Sequence, residues 1–408
     1  MVAKVPTNGL NHGIPFFTGD TGSIYTHDVS GTDSTAQYNT AYGLTALDAV
    51  TTGDDNTVVG YAAGGALTTG ANNVIVGKNT AAANAMVGDH NTFVGGGAAY
   101  NATDCDRNTI IGRDAGYNLT NGDDNTIIGE EAGKAITTGT HNVFVGKDAG
   151  ESITTGTHSV FIGPNAGDGH DTETSNIGIG YAALGGAVAG GENNVAVGIY
   201  ALDALTSADD VVALGYGAGG AITTGSSNCC IGHGAGANLT TGASNVLLGT
   251  NAGTAASPAN LEDHDNHLVL GHNNITNSLV KVDWTVTSDE RDKTDIEPFK
   301  MGLGFINELN PVTYRWDMRS NYSDRKPDGT HKKPELSAGL IAQEVEKLER
   351  EYGYKAEDKT SVITYVSTDG NYSLTYSKFV PVLINAVQEL SAQVTTLQDE
   401  INTLKEGK

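Results

Sequence analysis

The sequence predicts a mainly β protein, in which a β-solenoid of 17-residue repeats precedes a small α+β domain that ends in a coiled-coil helix. Three observations predict this architecture. A short apolar segment that ends in glycine recurs at a near-constant interval through residues 51–272. No repeat contains an amphipathic pattern of helical length. Two interleaved heptad series of apolar residues run from about 380 to 405.

The repeat is defined by the glycine that closes each "NxVxG"-like segment. Nine of the steps between successive glycines are 17 residues long and two are 18, and a looser copy, "NHLVLG", ends at Gly271. A regular period of this length is typical of stacked repeats. The aligned glycines are Gly60, Gly77, Gly95, Gly112, Gly129, Gly146, Gly163, Gly180, Gly198, Gly215, Gly232 and Gly249.

Each repeat reads as one coil of the solenoid. In "NTVVGYAAGGALTTGAN" (56–72) the β-branched residues predict a short strand, and "AG" and "TTG" predict two turns. An asparagine recurs four residues before the aligned glycine, so we expect a buried hydrogen-bonded ladder at one corner. Its members are Asn56, Asn73, Asn91, Asn108, Asn125, Asn142, Asn176, Asn194, Asn228 and Asn245.

Both faces of the predicted strands are apolar. The residues one and three before the glycine share a face, as in Val143 and Val145, while Phe144 between them points the other way. A single solenoid would bury one face and expose the other, so we expect another copy of the chain to cover the second face. The alternative is a wide monomeric solenoid that buries both faces itself.

The repeats resemble the head repeats of trimeric autotransporter adhesins, which carry "NxVAIGxxA"-type coils, and "NNVAVGIYA" (193–201) is the nearest match. The resemblance covers roughly 51–272 and implies a trimer of β-rolls packed side by side. The period of the present chain is longer, and neither the secretion signal nor the membrane anchor of those adhesins is found.

Charge and cysteine content restrict the classes of partner. Residues 1–287 hold seven basic and 27 acidic side chains of a chain whose net charge is −25. This acidity argues against nucleic acid and anionic membranes as partners. The three cysteines cannot form a disulfide framework, and no signal peptide or membrane-spanning stretch is found. We therefore expect assembly in a cytoplasm, without membrane insertion.

The segment "VTSDERDKTDI" (286–296) marks the boundary between two compositions. It places Ser288 five residues before Lys293. A lysine whose pKa is lowered by burial or nearby cations can take the proton of a serine hydroxyl, which makes the pair a candidate acyl-transfer dyad. Taken alone, the pair is weak evidence, because serine and lysine five residues apart are common and a solvated charged loop is the more usual explanation.

The context of this pair is a series of motifs in a fixed order. "SDERDKTDIEPF", "GLGFINELNPVTYRWD", "AGLIAQEVEKL" and "YSLTYSKFVPVLINAVQELSAQVTTLQDEI" together resemble the C-terminal intramolecular chaperone of endosialidase tailspikes and phage tail fibres, a self-cleaving peptidase S74-type family. The resemblance spans 288–408. It implies a domain that trimerises the chain, assists folding of the preceding β-structure and then cuts itself off.

The resemblance assigns residues to the predicted reaction. Ser288 matches the nucleophile, Lys293 the general base, and Asp289 and Arg291 other positions of the cleavage motif. The cut bond is either Thr287–Ser288, through an N–O acyl shift, or Ser288–Asp289. Some members of the family fold without cutting, and that alternative stays open.

The rest of the second half gives its own signals. Residues 273–287 alternate like a strand leading out of the solenoid, 338–353 read as a helix, and "TDGN" joins two strands. The heptad series are Val380, Val387, Val394, Ile401 and Leu383, Leu390, Leu397, Leu404. Peptide rules favour two strands for this pattern, whereas the resemblance implies three, and we expect a homotrimer.

Other candidate sites are weak. The paired carboxylates of "GDDNT" (53–57 and 122–126) lack calcium-loop spacing, and His141, His158 and the group His264, His267 and His272 read as surface polar residues. "GYGAGG" (215–220) has no following helix to bind phosphate. We expect no cofactor and no metal.

These observations predict a structural fibre or spike protein of a bacteriophage virion, assembled in the host cytoplasm. Residues 1–50 would attach it to other virion proteins, and the solenoid would face a host cell-surface receptor, for which a glycan is one candidate class. The alternatives are a bacterial trimeric surface adhesin and a glycan-degrading tailspike.

Overall fold

The fold is described from a computed structural model, which covers residues 17–18, 22–26, 35–187, 189–275, 277–281, 285–322, 324–366 and 370–407. The chain divides into two compact units, Met1–Asn277 and Ser278–Lys408. Residues 1–16, which form part of the predicted attachment segment, lie outside the described residues.

The first unit is a β-solenoid of about 13 turns, which confirms the predicted fold class. From Ile24 to Leu270, short parallel strands stack in register, each bonded to the strands of the coils before and after it, and Phe17–Thr18 pairs antiparallel with Ile24–Tyr25. The strands are β1 Phe17–Thr18, β2 Ile24–Tyr25, β3 Thr40–Tyr42, β4 Thr57–Val59, β5 Val74–Val76, β6 Thr92–Val94, β7 Thr109–Ile111, β8 Thr126–Ile128, β9 Val143–Val145, β10 Val160–Ile162, β11 Ile177–Ile179, β12 Val195–Val197, β13 Val212–Leu214, β14 Cys229–Ile231, β15 Val246–Leu248 and β16 Leu268–Leu270.

The core of the solenoid is a column of side chains from the middle residue of each strand. Each of these residues is buried, and in β8 and β9 Ile127 stacks directly on Phe144. Alanines of the following turn and a leucine or isoleucine of the opposite side fill the rest of the coil. The same apolar surface is therefore buried once in every coil. Because each coil packs only on the coils next to it, its stability depends on those neighbours.

The aligned glycine is required by the stacking distance. Gly129 has φ +146°, and a Cβ atom there would lie 2.1 Å from the carbonyl oxygen of Gly146 in the next coil. No side chain fits in that space. The same close approach recurs along the column, which explains why the glycine spacing defines the period in the sequence.

The asparagine ladder is formed as predicted. Where successive coils both carry the asparagine, the side-chain oxygen of one accepts the backbone N–H of the next, and in most coils its amide group donates to a carbonyl fourteen or fifteen residues ahead. The residue before each asparagine has positive φ, and several are Asp, Asn or His, which tolerate that conformation better than most residues. The ladder thus satisfies the buried polar groups of one corner.

The outer face of the sheet is apolar and not covered by the chain itself. We call the first and third residues of β4–β16 the outward stripe, and they are half-buried or exposed, with Ile111 at 36% and Ile162 at 37%. The wide solenoid that buries both faces within one chain is therefore wrong. The interior of each coil is too narrow to hold both faces of its strand, because the middle strand residue, the turn alanines and the opposite leucine or isoleucine already fill it.

The parallel stack continues upstream of residue 51. β4 pairs with β3, and β3 with β2, in the same parallel register. Gly43 closes "NTAYG" 17 residues before Gly60, and Asn39 joins the ladder by accepting the N–H of Asn56. At least part of the segment assigned to attachment is therefore solenoid.

The connection after the solenoid does not form the strand predicted for 273–287. The described part of this segment, 273–275, 277–281 and 285–287, contains no strand. A strand needs a series of backbone hydrogen bonds to a neighbouring strand, whereas the bonds of Asn273 to Ala256 and of Ile275 to His272 are those of turns.

The second unit is a small α+β region, as predicted. It contains α1 Leu303–Glu308, a hairpin of β17 Val312–Tyr314 and β18 Ser337–Gly339, α2 Ala342–Glu351, a second hairpin of β19 Thr364–Val366 and β20 Tyr372–Leu374, and α3 Phe379–Glu406. Its core includes Met301, Phe305, Val345, Ile363 and Val382. The helix predicted for 338–353 is formed over Ala342–Glu351, whereas 338 and 339 belong to β18, and the hairpin around "TDGN" is formed.

The terminal helix α3 packs on its unit only near its start. Phe379, Val382 and Ala386 are buried, and Glu389 accepts the N–H of Leu303 at the start of α1. This contact region extends slightly beyond the first heptad and uses other positions than the heptad series. All residues of the two predicted series are exposed. None of the described helices combines the length and the apolarity needed to cross a bilayer.

Candidate functional site

The predicted dyad lies on a single 3₁₀ turn at the start of the second unit. This turn spans Glu290–Asp292 and begins at Asp289, whose carboxylate accepts the N–H of Arg291 at 2.9 Å. The N–H of Lys293 closes the turn on the carbonyl of Glu290 at 3.1 Å. Aspartate is among the residues best suited to begin such a turn, because its side chain satisfies an N–H that the turn leaves free.

The turn brings the two candidate reactive groups together. The Nζ of Lys293 lies 2.7 Å from the Oγ of Ser288 and 3.1 Å from the Ser288 carbonyl oxygen. Both distances are those of hydrogen bonds. A base must be within this reach of the proton it removes, and this pair meets that geometric requirement.

The other two motif residues pair with each other. The guanidinium of Arg291 donates to both carboxylate oxygens of Asp289, at 3.0 and 2.6 Å. These hydrogen bonds hold the pKa of Asp289 below its usual value and raise the pKa of Arg291. Since both groups are at the surface, the pair orders the turn rather than supplying much stability.

Ser288 and Lys293 are both exposed in the single chain. A lysine acts as a base only when its pKa is lowered, and the usual causes are burial and neighbouring cations. Thus one chain supplies the geometry of the dyad. The burial that would activate Lys293 has to be supplied by other residues that cover the pair.

The unit also contains a buried carboxylate that was not among the predicted site residues. Glu349 of α2 is fully buried and accepts the N–H groups of Val362, Ile363 and Thr364 at 2.8–3.0 Å. The hydroxyl of Ser361 donates to it as well. Its position four residues after Val345, on the apolar side of the helix, is the one signal that could have revealed it.

The weaker candidate sites behave as surface structure. His141 and His158 stack with centroids 4.9 Å apart, and His264 meets His267 edge to face. In the "GDDNT" turns, Asp54 and Asp123 accept N–H groups of the preceding coil. Over the residues described, no group of three or more histidine, cysteine or acidic side chains is arranged to hold a metal ion.

Comparison with known proteins bears on the second unit. Residues 288–355 match the peptidase S74 family model, described as the chaperone of endosialidase. No curated protein and no solved structure matches the chain. The match begins at Ser288 and includes Lys293 and Glu349, and it leaves the solenoid and α3 outside. The chain therefore carries a chaperone-of-endosialidase segment directly after its β-solenoid.

Proposed function

We propose that the protein is a homotrimeric fibre or spike of a bacteriophage virion. A β-solenoid joined to a chaperone segment fits a fibre or spike protein with an intramolecular chaperone. In this proposal the solenoid is the shaft that faces the host cell, and the chaperone brings three chains together while the shaft folds.

The observation that carries the trimer is the outward stripe. The third residue is apolar in every strand from β4 to β16, and the first residue is apolar in β5 and β9–β16 and threonine in β4 and β6–β8. Uncovered apolar surfaces of this length are uncommon on monomeric proteins. The exposed heptad residues of α3 form a second such surface at the C-terminus. Two separate apolar surfaces on one chain support association of like chains, and the adhesin-like coils and chaperone segment favour three.

The proposed reaction is a cut beside Ser288. Neutral Lys293 takes the proton of Ser288 Oγ, which attacks the carbonyl carbon of Thr287. The C–N bond to Ser288 breaks, the amine regains the proton from Lys293, and an ester remains. Water hydrolyses the ester to a Thr287 carboxylate and the free Ser288 hydroxyl. A cut at Ser288–Asp289 is the other candidate.

The exposure of Ser288 and Lys293 supports a sequence in which the chains assemble first and are cut afterwards. Because Ser288 and Lys293 are solvated in one chain, the dyad lacks the burial that its activation requires until another chain or segment covers it. Cutting would then follow assembly rather than precede it.

The other proposed partners are inferred from the acidity of the shaft and from the position of the N-terminal region. We place other virion proteins at residues 1–50 and a host surface receptor, with glycan as a candidate class, along the shaft. The net charge of −25 disfavours nucleic acid and anionic membranes as partners.

Intact mass and native mass of the purified protein test the proposal together. We expect a trimer, and loss of the residues after the cut, with Ser288 or Asp289 at the new terminus. Ser288→Ala should assemble but stay uncut. Processing that persists in Ser288→Ala would remove the serine from its role, and a monomeric wild-type shaft would overturn the trimer.

A further inference from the structure

One coil in the middle of the solenoid departs from the repeat at several buried positions. We call residues 164–180 the His170 coil. It contains β11, lies between β10 and β12, and follows the nine strands β2–β10, which are stacked in parallel. The departures concern its core side chain, its corner, its strand and the ladder residue of the preceding coil, to which it is bonded.

The core position of this coil holds a histidine. His170 is 0% exposed, and neither ring nitrogen has a hydrogen-bond partner among the described residues. Its ring lies 5.1 Å from the ring of Phe161. The equivalent positions of other coils are all apolar and buried: Leu67, Leu119, Ile136, Ile153, Leu205, Ile222 and Leu239.

The corner of the coil holds a glutamate where most coils have glycine. Glu173 is buried, and its carboxylate accepts the N–H groups of Asp171, Thr172 and Gly190. It is the charged group that faces His170, whereas Phe161 of β10 and the Leu184 backbone of the next coil are uncharged neighbours. Because its oxygens already hold three N–H groups, Glu173 cannot pair fully with a protonated His170.

The ladder and the strand are also weaker here. Ser159 replaces asparagine, and its hydroxyl makes one bond to the next coil, from the N–H of Asn176 at 3.3 Å. Gly178 replaces the bulky middle residue of the strand, and the following coil is one residue longer than the period. Fewer bonds and less apolar volume thus join this coil to its neighbours.

We propose that the His170 coil is an acid-sensitive break point of the solenoid, at which protonation of His170 opens the coil while the coils on either side stay stacked. In the closed coil neither ring nitrogen makes a hydrogen bond, and the neighbouring Glu173 carboxylate already accepts three N–H groups. A protonated imidazole is therefore better solvated in an open coil, where water can accept its N–H groups.

The sign and range of the effect follow from burial. Burial lowers the pKa of His170 from 6.5 to about 4, against the opposing effects of Glu173 and the Leu184 backbone. The open coil therefore binds the proton more readily than the closed one. Stability of the coil is unaffected above pH 6.5, falls as the pH drops through that value, and reaches its full loss near pH 4.

Hydrogen exchange of the full-length protein, followed peptide by peptide from pH 7 to pH 4 and corrected for the intrinsic rate, tests this proposal. Between these limits, exchange in 164–176 should rise on the order of a hundredfold, while 126–146 and 212–232 keep their protection. His170→Leu, which restores the side chain typical of the repeat, should abolish the rise. His158→Gln, at an exposed histidine one coil earlier, should leave it in place.

A second variant covers the case in which His170→Leu folds poorly. His170→Gln is polar but cannot be protonated in this range, so it should also exchange independently of pH. Equal acid sensitivity of wild type and either His170 variant would overturn the proposal. So would simultaneous opening of all coils in the wild type.

Discussion

The side-chain oxygen of Asn125 accepts two hydrogen bonds from Asn142 in the next coil, one from its backbone N–H at 3.0 Å and one from its amide group at 3.1 Å. The amide group of Asn125 donates in turn to the carbonyl of Gly139 at 2.8 Å. A single buried side chain therefore joins its own coil to two points of the next one, and the column repeats this joint along the shaft.

Asn125→Ala should lower the free energy of unfolding by roughly 3 kcal/mol, because it leaves the Asn142 N–H and the Gly139 carbonyl buried without their partner. Denaturant unfolding of the full-length protein measures the change. Asn84→Ala is the matched control, since Asn84 is exposed at another corner, and it should cost less than about 0.5 kcal/mol. Equal costs at the two positions would contradict a structural ladder.

A charge on the outward stripe should prevent association without unfolding the coil. Ile162→Glu places a carboxylate on a surface that the proposed trimer buries, whereas in a single chain the side chain stays in water. Native mass should change from trimer to smaller species. Thr138→Glu, at an exposed turn of the same solenoid, should remain trimeric. A trimeric Ile162→Glu protein would place the interface elsewhere.

Cys229 should cross-link chains of the proposed trimer. It is half-buried in the outward stripe, while Cys230 beside it points into the core. Burial raises the pKa of Cys105 and of Cys230 to about 12, so both stay as unreactive thiols at pH 8. A short bis-maleimide should give a two-chain band on a denaturing gel.

Cys229→Ser should remove that band, and Cys230→Ser should leave it unchanged. A band that survives in Cys229→Ser, or the lack of any band in a protein shown to be trimeric, would mean that the stripes do not meet at β14.

Asp289 should act on cleavage through the shape of the turn and not through its charge. Asp289→Asn keeps an acceptor for the Arg291 N–H, so its rate of self-cleavage should stay close to that of wild type. Asp289→Ala loses the acceptor and should cut about fivefold more slowly. Time courses on denaturing gels give both rates. If Asp289→Asn cut as slowly as Asp289→Ala, the charge of the carboxylate, and not its role as an acceptor, would determine the rate.

Glu349 should be required for a stable chaperone unit. Glu349→Gln replaces one acceptor oxygen by an NH₂ group that faces backbone N–H donors, and we expect a loss of roughly 3 kcal/mol. The yield of soluble trimer and the unfolding midpoint report this loss. Glu351→Gln, at an exposed position two residues later, should have little effect.

Much of the architecture could be predicted because it depends on local repetition. The spacing of residues such as Gly129 and Asn125 gives the coil and its ladder, and the heptads from Val380 to Leu404 give the terminal helix. The coil that ends at Gly43 carries the same signal in weaker form, since "NTAYG" has alanine where most later coils have larger residues. The approach of Ser288 to Lys293 was expected from the motif order.

The sequence by itself determined the period, the ladder and the position of the candidate dyad, because each arises from residues that are near in sequence or that repeat. Only the tertiary structure decided which apolar face is inside, since Phe144 and its flanking valines are equally hydrophobic and the turns select the inward side. It alone placed Glu349 against residues 361–364 and left His170 buried without a partner. These contacts join segments whose separation no local pattern encodes, so they emerge only when the chain is packed.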